Sequence, residues 1–262
     1  FAMGYLKTVL APGATCTLSA LYGHAEGPEQ LNRMLPKLRE PSFFTRKAQE
    51  NQRLIWELTN PITTHSGQPT FDLYCRKTFL DNVLRGGVPI TFSGAAADDP
   101  KKVLYVYSRK HGDLERDYNQ FVIPATYFSQ GDANYRDVNQ NRRSDVWFYP
   151  EIGEHNVVTF FNLLQADGYN PLVYKGTRYS ATDHLANTPL LRELLAKPFT
   201  PGELLKQIER RHLKVPNSPE ELLHQAMRVA RETLDAEHGD GFWTDHWSYN
   251  LDALEATSRS IR

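Results

Sequence analysis

The sequence predicts a mainly α protein, a helical barrel or bundle preceded by a short stretch of β structure. Three observations carry this. From about residue 49 onward, apolar residues recur at helical spacing in one segment after another. Before that, residues Tyr5 to Gly23 alternate and turn in the manner of β structure. The strings richest in hydrogen-bonding side chains fall between the helical segments, where loops on a rigid scaffold usually carry function.

At the start, Leu6-Lys7-Thr8-Val9-Leu10 and the run from Thr15 to Tyr22 flank the turn Ala11-Pro12-Gly13-Ala14. Residues 1–26 are therefore expected to form a hairpin, the end of a β-sandwich. Residues 27–50 are polar, with Glu29, Gln30, Asn32, Lys37, Arg39 and Glu40, then Arg46, Lys47 and Glu50, and read as a linker carrying a helix. The helical domain spans residues 51–262. Leu54, Ile55 and Leu58 mark a helix over Gln49 to Asn60 that Pro61 ends. Phe71 to Leu84 places Leu73, Tyr74, Phe79, Leu80, Val83 and Leu84 mostly on one face, and Gly86-Gly87 stops it. Residues 88–133 read as loop and short strand, including Val103-Leu104-Tyr105-Val106-Tyr107. Helices follow at about 154–166, 183–196, 201–213 and 219–237. The last of these opens on Ser218-Pro219-Glu220-Glu221, with Ser as N-cap, Pro in the first turn and acids against the dipole. A final helix runs from about Tyr249 to the end. No internal repeat or low-complexity tract is seen.

Composition narrows the function classes. Of 262 residues, 40% are hydrophobic and 23% charged, ordinary for a soluble globular protein. The formal net charge is −1 with no basic run, which argues against a nucleic-acid partner. No apolar run approaches the roughly 20 residues needed to cross a bilayer, so no membrane partner is expected. Two cysteines, Cys16 and Cys75, fit reduced thiols and a cytoplasmic location better than a disulfide framework. The opening Phe1-Ala2-Met3-Gly4-Tyr5 has no signal-peptide character and reads as the middle of a domain, so the chain is expected to be a piece of a larger protein. The histidines are scattered, and His238 and His246 lack helical-pair spacing and a third ligand, so no metal site is expected. No nucleophile elbow and no phosphate-binding glycine loop occurs.

Two islands carry the chemistry. Asn134-Tyr135-Arg136-Asp137-Val138-Asn139-Gln140-Asn141-Arg142-Arg143 packs an aromatic, arginines, a carboxylate and amides into ten positions, and is not apolar enough to be a core strand. Gly239-Asp240-Gly241-Phe242-Trp243-Thr244-Asp245-His246-Trp247 sets a carboxylate between tryptophans. Sugars call for such groups, because each hydroxyl both donates and accepts and each ring has an apolar face that an aromatic can cover.

The order of these strings resembles the inverting glycoside phosphorylases of the cellobiose and chitobiose phosphorylase type. Leu10-Ala11-Pro12-Gly13 with Leu21-Tyr22-Gly23 is similar to the end of that family's sandwich. Tyr74-Cys75-Arg76 through Gly86-Gly87 is similar to its first barrel helix and glycine turn. Tyr135-Arg136-Asp137-Val138-Asn139-Gln140-Asn141 is similar to its aromatic-Arg-Asp-x-x-Gln-Asp string, whose Arg-Asp pair binds the sugar undergoing cleavage. Trp243-Thr244-Asp245 is similar to its Trp-Asn-Asp, whose last carboxylate is the general acid. Asp167-Gly168-Tyr169-Asn170-Pro171-Leu172 falls where that family has a loop near the sugar. Asn141 and Thr244 depart from the pattern, and the histidine of the middle loop has no counterpart.

The resemblance implies the end of a β-sandwich, a linker helix and the first part of an (α/α)6 barrel whose remainder comes from the same or another chain. It implies cleavage or formation of a β-glucosidic bond with inversion, by phosphorolysis of a disaccharide or oligosaccharide. Inorganic phosphate is then a co-substrate, no other cofactor is needed, and the phosphate ligands lie further along the barrel. Such enzymes often dimerise through the sandwich, so a homodimer is among the implied partners.

Asp245 is the expected general acid. Flanking Trp243 and Trp247 would strip water from it, which favours the protonated carboxyl that an acid needs. Capping of the last helix is the alternative role. Asp137, beside Arg136, suits a permanently charged acceptor for sugar hydroxyls, with a loop salt bridge as its plain alternative. Arg136 would donate a rigid fork. Tyr135 or Trp243 would stack on a pyranose, and Asn139 and Gln140 would bind hydroxyls, although amides in loops commonly bind backbone. Arg142-Arg143 reads as a solvated pair. Two rivals remain. One is an inverting hydrolase or transglycosylase, in which a second carboxylate, Asp137 or Glu255, acts as base. The other is a non-catalytic sugar-binding module.

Overall fold

The computed structural model describes residues 5–94, 101–106, 126–128, 133–181, 188–215, 217–239 and 244–260. Among them the chain is mainly α, with nine α-helices and five short strands. It divides into two units, Phe1–Leu54 and Ile55–Arg262, with the division inside one helix.

In the first unit, residues 5–26 hold a turn and no strand. The turn sits where expected: the Ala14 N–H donates to the Ala11 carbonyl at 3.0 Å, with Gly13 at φ 79°. Its flanks do not pair, so the expected hairpin is not formed. The physical reason is that neither alternating face is covered: Val9 is 94% and Tyr22 92% exposed. A lone two-stranded ribbon with both faces in water is marginal at best. The linker does carry a helix, α1 (Pro28–Leu38), with Pro28 at its start and Glu29 against the dipole. Helix α2 (Phe43–Thr59) follows and starts earlier than its apolar spacing alone marks.

In the second unit, α2 ends where the Thr59 hydroxyl donates to the Ile55 carbonyl at 2.8 Å and a 3-10 turn at Asn60–Ile62 begins. Helix α3 (Pro69–Gly86) has Pro69 at its first position, and Asp72 in its first turn accepts from Thr64 Oγ1 and the Ser66 N–H. Those bonds hold the Asp72 carboxyl below its ordinary range. The helix stops at Gly87, whose φ of 90° an L side chain rarely adopts. A Cβ there would also press on the Val106 carbonyl at 3.1 Å and Tyr105 Cβ at 3.2 Å.

Strands β1 (Val88–Phe92) and β2 (Lys102–Val106) pair antiparallel, with Ile90 opposite Leu104. A second sheet has the order β3 (Ala133–Asn134), β4 (Val173–Ser180), β5 (Arg231–Glu237), all antiparallel, with a bulge at Tyr174–Gly176. Between β3 and β4 lie α4 (Tyr135–Arg142), two 3-10 turns and α5 (His155–Asn162). Helices α6 (Pro189–Ala196), α7 (Pro201–Arg210) and α8 (Pro219–Val229) come between β4 and β5. Thr188, Thr200 and Ser218 cap them through their hydroxyls, and Thr200 with Glu203 closes a capping box.

The largest core packs Leu191, Leu195, Leu204, Ile208, Leu222, Leu223 and Met227 of these three helices against Phe92, Leu104 and Tyr179 of the strands. Two smaller cores complete the unit. One holds Val103, Tyr105, Val146, Ile152 and Ala256, the other Tyr135, Val138, Phe160, Leu163 and Tyr174.

Three expectations about the helices need correcting. The helix expected over 219–237 ends at Val229, and its second half is β5, because Ala230 turns extended (ψ 144°) and the chain pairs with β4. The string 134–143, expected as loop, is mostly α4, and the last helix, α9 (Thr244–Ser260), begins five residues before Tyr249, at Thr244. Segment 173–180, between the expected helices 154–166 and 183–196, is the central strand of a sheet.

Candidate functional site

Three segments that are far apart in sequence meet around the start of α4. Asn134 caps this helix, its side chain accepting from the Arg136 N–H at 2.9 Å, while the Tyr135 N–H donates to the Leu172 carbonyl at 3.0 Å. The first two turns of α9 pack against it. Asn250 Oδ1 accepts from the Tyr135 hydroxyl at 3.1 Å and from Asn139 Nδ2. One turn earlier, His246 Nδ1 and Asn170 Oδ1 are hydrogen-bonded at 2.7 Å, and the His246 ring lies 5.4 Å from that of Tyr135. The string 134–143, the start of α9 from Thr244 and the loop 167–172 thus share one locality.

Charge gathers at its edge. Arg136 Nε lies 3.2 Å from Asp137 Oδ1. Burial works to lower the Arg136 guanidinium, and the carboxylates of Asp137 and Asp245 outweigh it, so that Arg136 is held above its ordinary value. Burial holds the His246 imidazole below its ordinary value, with the Asp245 charge opposing and the Arg136 charge assisting. Asp245, in the first turn of α9, therefore lies within electrostatic reach of both. Arg136 offers a planar donor fork, with Asp137 as its ion-pair partner and the Asp245 charge acting on it from the first turn of α9. This arrangement can grip a ligand whose groups donate and accept at once.

The other expected site residues divide. Tyr135 is completely buried, its hydroxyl also reaches the Phe160 carbonyl, and burial pushes its phenol up to about 12. It belongs to the core and cannot stack on a pyranose, since no face of its ring is open. Asn139 is likewise completely buried against Asn250, so its amide serves the helix contact and not a hydroxyl. Gln140 is exposed. Trp243 lies outside the described residues. Asp245 is exposed and Trp247 half-buried, so the desolvation expected of Asp245 is not supplied by Trp247. Asn141 donates to the Asp137 carbonyl at 2.7 Å, a bond an aspartate cannot make. The Tyr169 N–H donates to Asp167 Oδ1 at 3.0 Å, an ordinary Asx turn. Glu255 pairs with Arg259 on the exposed side of α9, ten residues or roughly 15 Å along the helix from Asp245.

A second polar cluster was not read from the sequence. Arg142, expected at the surface, is buried, with its guanidinium carbon 3.7 Å from the Tyr105 ring centroid and 5.7 Å from that of Tyr174. The Tyr105 hydroxyl donates to Asp145 Oδ2 at 2.9 Å, and Asn156 Nδ2 donates to that hydroxyl at 2.8 Å and to the Arg142 carbonyl at 3.1 Å. Burial pushes the Asp145 carboxyl up to about 7, against the Tyr105 bond and the Arg142 charge. Burial also pushes the His155 imidazole, stacked beside Tyr105, down to about 4. Tyr105, Arg142, His155, Tyr174 and Thr177 line a small cleft there. Ser144-Asp145-Val146 offers no spacing that would have marked it, because the cluster is assembled from β2 (Tyr105), α4 (Arg142), the 3-10 turn at Asp145–Trp147 and α5 (Asn156).

Among the described residues, no helix is long and apolar enough to cross a membrane. Comparison with models of known families, with curated proteins and with solved structures finds no match.

Proposed function

We propose that this chain carries the sugar-gripping part of an enzyme that cleaves or forms a β-glucosidic bond with inversion, by phosphorolysis of a disaccharide or oligosaccharide, on helices belonging to an (α/α)6 barrel. What supports this reading is the Arg136–Asp137 pair on α4, the packing against that helix of α9, which carries Asp245, and the resemblance in the order of these strings, which lie more than a hundred residues apart. In this reading Arg136 and Asp137 hold hydroxyls of the sugar being cleaved. Asp245 protonates the glycosidic oxygen as its bond to the anomeric carbon breaks. A phosphate oxygen attacks that carbon from the opposite face, and the sugar leaves as glucose 1-phosphate. Phosphate is already an anion and needs no protein base. A sugar seated against Arg136 and Asp137 would itself exclude water from the exposed Asp245. The proposal includes no cofactor beyond inorganic phosphate as co-substrate.

The test is to incubate the protein with cellobiose and with laminaribiose, each with and without inorganic phosphate, and to follow glucose 1-phosphate. Phosphate-dependent release is expected. Cleavage that ignores phosphate would replace phosphorolysis with hydrolysis, and oligosaccharide binding without turnover would leave a non-catalytic module. Asp245→Asn should lower turnover by at least ~10²-fold and spare binding, as loss of a general acid does. Asp137→Ala should mainly weaken sugar binding. The opposite pattern in these two variants would exchange their roles.

A further inference from the structure

We infer that Asn250 is the positioning residue that sets the offset between α4 and α9, and with it the placement of Arg136 and Asp137 against Asp245. For its effect on turnover this rests on the proposed sugar chemistry; its geometric consequence does not.

Asn250 is completely buried, as are both donors that converge on its Oδ1, the Tyr135 hydroxyl and Asn139 Nδ2. Its own Nδ2 has no hydrogen-bond partner. The polar work of the side chain is therefore one oxygen receiving two donors in a dry contact, where an unmade bond is costly. The donors sit four residues apart on α4, one on each side of the Arg136–Asp137 pair in sequence. A single acceptor facing both fixes how far α4 can slide or roll against α9. Asp245 stands five residues before Asn250, one turn and a half along the same rigid helix. His246, between them in sequence, bonds Asn170 and faces the charges of Arg136, Asp245 and Asp137. The hydroxyl of Tyr135 and the amide of Asn139 are thus assigned to a shared anchor behind the charged groups.

His246 reports the geometry without any sugar. Its titration, followed by NMR on the histidine-labelled protein and identified by loss of the signal in His246→Gln, should respond to its neighbours with opposite signs. Arg136→Gln should raise the midpoint, and Asp245→Asn should lower it. In an Asn250→Leu background both responses should collapse, while Asn250→Asp, which keeps an acceptor oxygen, should retain them. Where the parent turns over a disaccharide, Asn250→Leu should lose at least ~10-fold in kcat, since displacement of about 1 Å is enough for losses of that order or more. Unchanged His246 responses in Asn250→Leu would overturn the inference, as would their loss in Asn250→Asp. Should Asn250→Leu fail to fold by circular dichroism, Tyr135→Phe removes one of the two donors, and its His246 responses should shrink. Full responses there would overturn the inference equally. Absence of turnover in the parent would remove the sugar chemistry and leave the titration result standing.

Discussion

Asp145 shows how one side chain ties a packing detail to a measurable pH dependence. Its carboxyl accepts from Tyr105 and faces the buried Arg142, yet burial outweighs both and raises it to about 7 from an ordinary 3.8. A carboxyl raised in the folded state binds its proton more tightly folded than unfolded. It therefore contributes most below about pH 4, and that contribution drains away as pH climbs to about 7, by at most about 1.4 kcal/mol per pH unit. Asp145→Asn keeps an acceptor for Tyr105 and removes the titration. Urea unfolding at pH 4.5, 6 and 7.5 should show the parent losing stability relative to this variant as pH rises. A constant difference between the two proteins across that range would show that Asp145 does not titrate there. His155, pushed down to about 4 in the same cluster, contributes its own pH dependence to both proteins alike and so drops out of the difference between them.

Among the elements, α7 sets local propensity against packing. Gly202, second residue of the helix, is a poor helix former, and alanine would normally be an improvement there. A Cβ at this position, however, would meet the Tyr127 carbonyl at 2.2 Å and Thr126 Oγ1 at 2.5 Å. Gly202→Ala should therefore destabilise by about 1–3 kcal/mol, read as a lower Tm. An unchanged or higher Tm would mean that residues 126–127 give way freely. The same contrast separates what was legible in the sequence from what was not. The caps Thr188, Thr200 and Ser218 depend on a neighbour three residues on, so the Ser218 start and the α3 stop at Gly86-Gly87 could be seen directly. Strand β5 could not be seen, because Arg231–Glu237 follows a strong helical pattern and becomes a strand only by pairing with β4. Helix α4 was hidden for a different reason. Beside Tyr135 and Val138 it buries Asp137, Asn139 and Arg142, polar residues whose partners Arg136, Asn250 and Tyr105 only the fold reveals. The residue types of the candidate site were legible, but the division of labour was not. Tyr135 and Asn139 carry the right chemistry for a sugar and spend it on α9.

Across the second unit, the two polar clusters are the seams where separate cores join. The Asn250 contact links α9 to the core of Tyr135, Phe160 and Tyr174, and the Tyr105–Asp145–Asn156 bonds link that region to the core of Val103, Val146 and Ala256. Arg142 touches rings of both, Tyr105 and Tyr174. Seams made of buried hydrogen bonds break together, since opening one side strands the donors on the other. Helix α4 is too short and too polar to hold by itself, so its amides should stay protected only as long as α9 stays docked. Native-state hydrogen exchange should then find residues 135–142 and 246–257 opening in one step with equal free energies. The amides of residues 5–26, which form no strand, should exchange at nearly the rate of an unfolded chain. If α4 opens more easily than α9 by over about 1.4 kcal/mol, a tenfold difference in opening, the seam is not cooperative and Arg136 and Asp137 move independently of Asp245. Asn250→Leu should produce that same uncoupling in a protein where it is otherwise absent, which ties the behaviour of the whole unit to a single buried oxygen.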